Sequence, residues 1–426
     1  MSTTTVTTGA TLMKSTSTGR RFLLLALSLV TVMSITRVWT GYDDLTSSGT
    51  IGAALRLTVP ILLAGLAGLW AERVGVLNIG IEGMMILGTW FGAFGAWKWG
   101  PWIGFLLAIL GGAFGGLIHA VATIRFNIDQ VISGVVMNIF GLYGARYLSE
   151  LAFVGQPQGG ISQSPPQSSA IPRIDVPFLA GGSVGSRTTG DALGWLEARG
   201  WFLIADVAGI VRGLMSGVSL ASIIAILLVP ASAWVLWKTS FGLRLRSSGE
   251  SPEAAESLGV NVIRVRYIGL LISGGFAGLG GGFLSIVSSS YYRQGQTAGR
   301  GFIGIATTIF GNWRPGGVLG GAAVFGYSEG LKLVAGGSIT GLFLFIVLIS
   351  LALIVVALRA KSTKRALVTT SIGVLALLAY LLVNEVPESL TQSLPYVVTL
   401  VVLATASQRL RPPAKAGVPY RPGGGH

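Results

Sequence analysis

The sequence predicts an all-α fold, a polytopic transmembrane helical bundle with broken helices and one short helix on the cytoplasmic side. Three observations predict it. Of 426 residues, 51% are hydrophobic and only 11% charged, with a mean hydropathy of +0.70, whereas ordinary soluble domains carry about 25% charged residues. Apolar runs of about 20 residues, the length that spans a bilayer as helix, recur nearly end to end. Between the runs lie short basic stretches such as "RAKSTKR" at 359–365.

The polar, basic stretch 1–21 is expected to be a cytoplasmic tail, and the apolar run behind it an uncleaved first helix, since no small-residue cleavage site follows it. One transmembrane domain then fills 22–407, with spans near 22–38, 51–70, 76–97, 102–122, 129–149, 217–237, 265–288, 301–313, 317–335, 338–358, 366–383 and 393–407, followed by a cytoplasmic tail over 408–426. The segments 301–313 and 393–407 are short for full crossings. Counted from a cytoplasmic N-terminus, most of the 30 Lys and Arg residues fall inside, as the positive-inside bias requires. Both termini are therefore expected in the cytoplasm of a multi-pass protein of the cell inner membrane. The formal charge of +14 reads the same way and gives no reason to invoke nucleic acid.

Two long segments interrupt the pattern. Residues 150–216 form an external loop rich in Gln, Ser, Pro and Gly. Ile171, Ile174, Val176, Phe178 and Leu179 offer it something to pack, and "WLEARGWFLIADVAG" predicts a short interfacial helix. Residues 238–266 form a cytoplasmic segment containing a helix of about seven residues, with Ser251 as N-cap, Pro252 in its first turn, Glu253 at its positive end and Gly259 as its stop. So short a helix needs a docking surface, and Ala254 and Ala255 give it a small face.

Some function classes are excluded by composition. Cysteine is absent and the only histidines are His119 and His426, so no thiolate or multi-histidine metal centre is expected. No Gly-Lys dipeptide occurs, hence no phosphate-binding G-x-x-x-x-G-K-[ST] loop. The chain carries no cofactor of its own in this reading and is not an enzyme.

Within the spans, "LNIGIEGMM" places Asn78 and Glu82 at membrane depth, where an ionisable group costs at least about 2.5 kcal/mol unless it faces protein or water. A helix over 76–97 would put Asn78, Glu82, Met85 and Thr89 on one face and Gly88, Gly92 and Gly95 on a stripe that admits a neighbouring helix. Glu72, Arg73 and Gly75 just before it predict a broken helix. Gln130, Gly134 and Asn138 make a second polar strip. The two strips suggest a substrate pathway, with Asn78, Glu82, Met85, Gln130 and Asn138 as its candidate residues. Interhelical bonds that serve folding alone, or a pairing of Glu82 with Arg73, are the competing readings. Phe302 and Phe310 could add apolar walls or simply pack.

"AERVGVLNIGIEGMMILG", "FNIDQVISGVVMNIFG", "KTSFGLRLRSSGESPEAAESLGVNVIRVRYIGLLISGGFAGLGGGFLSI" and "AGRGFIGIATTIFGNWRPGGVLGGAAVFG", with "LPYVVTLVVLA" and "GVPYRPG" behind them, resemble the membrane permease subunits of nucleoside ABC importers, within the simple-sugar and branched-chain amino acid permease family. The resemblance runs from about residue 50 to 335. It implies that "GESPEAAESLGVN" is a coupling helix seated in a groove of an ATPase, so that Ser251, Pro252, Glu253, Ala254, Ala255 and Gly259 form the coupling surface, and that "ERVGVLNIGIEGMM" lines the path of a nucleoside. It implies three partners as well: an ABC ATPase subunit that binds the ATP, a second homologous permease subunit, and an extracytoplasmic substrate-binding protein. A permease for simple sugars or another small polar solute is the alternative within the class. A stand-alone channel or proton-coupled carrier, with Glu82 titrating, is the alternative outside it.

Overall fold

The computed structural model describes residue 24 and residues 27–184, 187–333, 337–359, 362–383 and 410–421. In chain order its helices are α1 (Leu27–Thr40), α2 (Ser48–Arg73), α3 (Ile81–Trp99), α4 (Pro101–Ala120), α5 (Gln130–Ala152), α6 (Ala192–Ala198), α7 (Ile204–Met215), α8 (Leu220–Lys238), α9 (Ser240–Glu250), α10 (Pro252–Ser257), α11 (Val262–Phe283), α12 (Arg300–Phe310), α13 (Pro315–Leu331), α14 (Gly337–Arg359) and α15 (Thr363–Leu382). The only strands among the described residues are four of two residues each. Helix α4 continues into a π-turn over Val121–Arg125, and α11 into another over Leu284–Ser288. Six described helices are long and apolar enough to cross a membrane. The chain is an all-α, multi-pass membrane protein.

The described residues fall into two compact units. One draws on Met1–Gly52, Asp175–Ser216 and Leu331–Ser393. Its buried centre is Asp206, 1% exposed, whose carboxylate accepts from Ser34 Oγ at 2.6 Å and from Thr46 Oγ1 and pairs with Arg37 Nε at 2.8 Å. A buried charge is tolerable only when so fully partnered. The stretch predicted to hold one interfacial helix folds as two, α6 and α7, because the chain turns at Gly200 and Leu203, both at positive φ, and Arg212 of α7 bridges Asp191 and Glu197.

The other unit draws on Ala53–Ile174, Gly217–Gly330 and Leu394–His426. Helices α2, α3 and α11 are mostly buried, whereas α5 turns Ile132, Val136, Ile139, Tyr143 and Tyr147 outward. Such a face suits lipid or another apolar helix. The core is dense because backbones meet. Gly88 of α3 lies on Gly278 of α11, Gly278 in turn lies on Ala108 and Gly112 of α4, and Gly95 lies on Gly104. The predicted glycine stripe of α3 thus receives two helices.

Several boundaries differ from expectation. Helix α3 begins at Ile81, not 76, so Asn78 stands in the break before it and does not share a helix face with Glu82. The segment 238–266 holds a further helix, α9, which its Arg- and Ser-rich sequence conceals: Thr239 caps it through Gly242 N–H at 3.0 Å, and Leu245 and Ser248 are buried beneath it. The short 301–313 span is α12, a half-length helix followed by a turn. The span at 393–407 lies outside the described residues.

Candidate functional site

The site is built on the break between α2 and α3. Gly75, at φ +88°, turns the chain out of α2 in a conformation that glycine adopts most readily, and regular helix resumes only at Ile81. Non-helical backbone at membrane depth must find partners inside the protein. Gln130 Oε1 accepts from Leu77 N–H at 2.6 Å. His119 Nε2 lies 3.1 Å from the Leu77 carbonyl, and its Nδ1 lies 2.9 Å from Ser133 Oγ. A carbonyl only accepts, so the geometry assigns the ring hydrogen to Nε2 and makes Nδ1 the acceptor. Asn138 serves two groups, donating from Nδ2 to the Ile79 carbonyl at 3.1 Å and accepting Gly83 N–H on Oδ1 at 2.8 Å. Asn78 accepts Gly80 N–H and donates to Ser273 Oγ, both at 3.1 Å. The second predicted strip therefore closes on this loop through Gln130 and Asn138, while of the first only Asn78 lies in it.

Glu82, 8% exposed, does not pair with Arg73. Its carboxylate accepts the backbone N–H groups of Gly299 at 2.9 Å and Gly301 at 2.7 Å, the opening of α12. An unpaired helix N-terminus offers free N–H groups and a partial positive charge, and a carboxylate satisfies both. Gly301 is required by the approach: a Cβ there would stand 2.6 Å from the Glu82 backbone. Beside it, Arg300 donates to Glu329 of α13 at 2.8 Å.

The other end of α12 is held as well. After Phe310 the chain turns through Asn312 and Trp313, both at positive φ. Trp313 Nε1 donates to Glu72, and Arg73 donates to the Trp313 carbonyl at 2.6 Å. At eleven residues, α12 is about 16 Å long, half a bilayer core. It is thus pinned at both ends by residues flanking the α2–α3 break. Met85 packs fully buried in a cluster with Ala64, Ala67 and Leu284. Phe310 stacks on Phe325 at 5.8 Å, and Phe302 is exposed.

The charged segment meets the same break. Ser248 Oγ donates to the Val74 carbonyl at 3.2 Å, Gly249 lies against the backbone of Arg73 and Gly75, and Arg266, 3% exposed, reaches the Ser248 carbonyl at 3.4 Å. Helix α10 then projects as six residues. Ser251 takes the N-cap position without a side-chain capping bond, Pro252 occupies the first turn, and Gly259 ends the helix at φ +81°. Its predicted small face divides. Ala254 points out with Glu253 and Glu256, whereas Ala255 is buried against Val262 and Tyr420. Leu258, 85% exposed, stands at its end.

Sequence reasoning missed His119, Ser273, Glu72 and Trp313 as partners of the loop and of α12. A lone histidine in the apolar run 102–122 is the one signal that pointed inward.

Comparison with known proteins gives the following. The family described as "Branched-chain amino acid transport system / permease component" matches residues 50–358. The chain is 36% identical over 301 residues to the guanosine ABC transporter permease protein NupQ of Bacillus subtilis (strain 168), covering 69% of this chain and 84% of that protein. It is 29% identical over 372 residues to the nucleoside ABC transporter permease protein NupC of Lactococcus lactis subsp. cremoris, covering 85% and 93%. It is 32% identical over 289 residues to the putative glucose ABC transporter permease protein TsgC13 of Haloferax volcanii, covering 67% and 78%. No solved structure matches.

Proposed function

Because the chain belongs to the branched-chain amino acid transport system permease family, we propose that it is the membrane permease subunit of an ABC importer and forms the translocation path for nucleosides. The observation that carries this reading is the abutment of α9, which leads directly into α10, on the α2–α3 break through Ser248 and Gly249, with Arg266 of α11 beside them. A small exposed helix carried by a second helix that leans on a broken membrane helix is what a transporter driven by a separate subunit needs.

In this reading α10 lies in the cytoplasm, as do both termini, and presents Glu253, Ala254 and the exposed Leu258 to a groove of the ATPase, whereas Pro252, expected on that surface, is buried within the chain and starts the helix. Ser251 and Gly259 delimit the helix, and Ala255 seats it. ATP is bound by that subunit, so the permease needs no cofactor and performs no chemistry on its substrate. A second homologous permease subunit completes the conduit, and an extracytoplasmic binding protein delivers the solute. Asn78, Glu82, Met85, Gln130 and Asn138 form the wall behind the path. The polar groups of Asn78, Glu82, Gln130 and Asn138 hold the loop and α12, which then face the solute. Relatives named for guanosine and nucleosides favour a nucleoside, and the relative named for glucose supports the sugar alternative.

The deciding experiment reconstitutes the permease with its ATPase and binding protein in liposomes and presents a panel of nucleosides and sugars. ATP-dependent uptake of a nucleoside, with stimulated hydrolysis, is expected. Uptake by the single chain driven by a proton gradient would replace this reading with a carrier.

A further inference from the structure

Residues 410–421 run beside the charged segment and touch both ends of the machinery described above. Leu410 packs on the cluster that contains Trp313 and Val318, and the backbone N–H of Arg411 donates to Asn312 Oδ1 at 2.8 Å, in the turn after α12. A few residues on, the segment reaches the junction of α9 and α10. Lys415 N–H donates to the Gly249 carbonyl at 2.9 Å, Ala414 N–H to Glu250 Oε2 at 3.2 Å, and Lys415 Nζ lies 3.9 Å from Glu253. Pro413 is buried. Tyr420 is 8% exposed and closes a cluster with Ala255 and Val262, with the Arg266 guanidinium 5.3 Å from its ring centre. Burial, with Glu256 beside it, pushes the phenol up to about 12, and the ring offers Arg266 a cation–π face.

A solvated tail would bury neither Pro413 nor Tyr420 and would leave its N–H groups to water. These residues instead supply the packing that a six-residue helix lacks on its own. They also join it to the turn at the end of α12 by a second stretch of chain, itself fastened to the last residues of α9.

We propose that residues 410–421 are a strut: they hold α10 at a set angle and carry its displacement to the α12–α13 turn, with Tyr420 as the positioning residue. This rests on the reading of α10 as the element an ATPase moves. Because the chain has no cysteine, Ala254→Cys gives a unique spin-label position on the exposed face of α10 in the full chain without its ATPase. Adding Tyr420→Ala should raise the label's mobility, and Tyr420→Phe, which keeps the ring, should restore it. In the reconstituted complex, Tyr420→Ala should lower solute imported per ATP by about tenfold, within the usual range of coupling between sites, and Tyr420→Phe should stay within about twofold of the parent on the same scale. Lys415→Pro, which removes the N–H donated to Gly249, serves if Tyr420→Ala does not insert, and should move both readouts the same way. An unchanged label in both disruptive variants overturns the strut, as does a Tyr420→Phe defect equal to that of alanine. A parent complex that hydrolyses no ATP during uptake instead overturns the functional reading and leaves the label result standing.

Discussion

Glu82 shows how a carboxylate at membrane depth can be a structural acceptor before it is anything else. The sequence made the residue conspicuous because nothing within one helical turn neutralises it. Its partners are two backbone N–H groups more than 200 residues away, and a main-chain donor has no letter in a sequence. The same holds for Gln130, Asn138 and His119, polar residues on apolar helices that each bond a main-chain atom of one irregular loop. Hydrogen bonds to a charged group contribute about 1.5–3 kcal/mol each, so Glu82→Ala, which removes two, should destabilise the purified protein by about 3–6 kcal/mol and depress uptake. Glu82→Gln, which retains one acceptor oxygen, should fall between. Thermal unfolding in detergent with uptake alongside checks this. Equal melting temperatures for all three proteins would deny Glu82 its hold on α12.

Among the elements, the glycine stripe of α3 was legible and its partners were not. A sequence shows that a face is small; which helix fills it is decided by the assembled bundle. Gly278 lies between Gly88, Gly112 and the Ala108 carbonyl, so a side chain there must displace backbone and not another side chain. Gly278→Leu is expected to lose most folded protein, beyond the 1–3 kcal/mol or so of ordinary overpacking, whereas Leu at Gly144, which has nothing nearby, should be tolerated. Yield of monodisperse protein distinguishes them. Helix α9 was missed for a different reason. Its apolar residues are too few to mark a period, and it is held by Thr239, by Arg246 donating to the Leu236 carbonyl at 2.9 Å, and by burial of Leu245.

Over the whole molecule, the membrane class and most spans were readable from hydropathy, and α10 from its Pro and Gly punctuation. What lay beyond reading was how the pieces bear on one another: that α9 touches the α2–α3 break, and that α12 is clamped at both ends by it. Coupling is a property of that arrangement. Reversing one exposed charge on α10, Glu253→Arg, should leave insertion intact and separate ATP hydrolysis from uptake. The measured quantity is solute imported per ATP hydrolysed, and a normal ratio would remove α10 from the coupling role.

The seams among α3, α4 and α11 have one more implication. Where rotatable groups interdigitate, neighbours can creep past each other by trading rotamers; where carbonyl meets α-carbon, there is no such slack. These three helices must then travel as a monolithic slab. If the chain gates as proposed, the motion falls to fastenings that are polar and reversible, and the grip of Glu82 on the head of α12 is one of these.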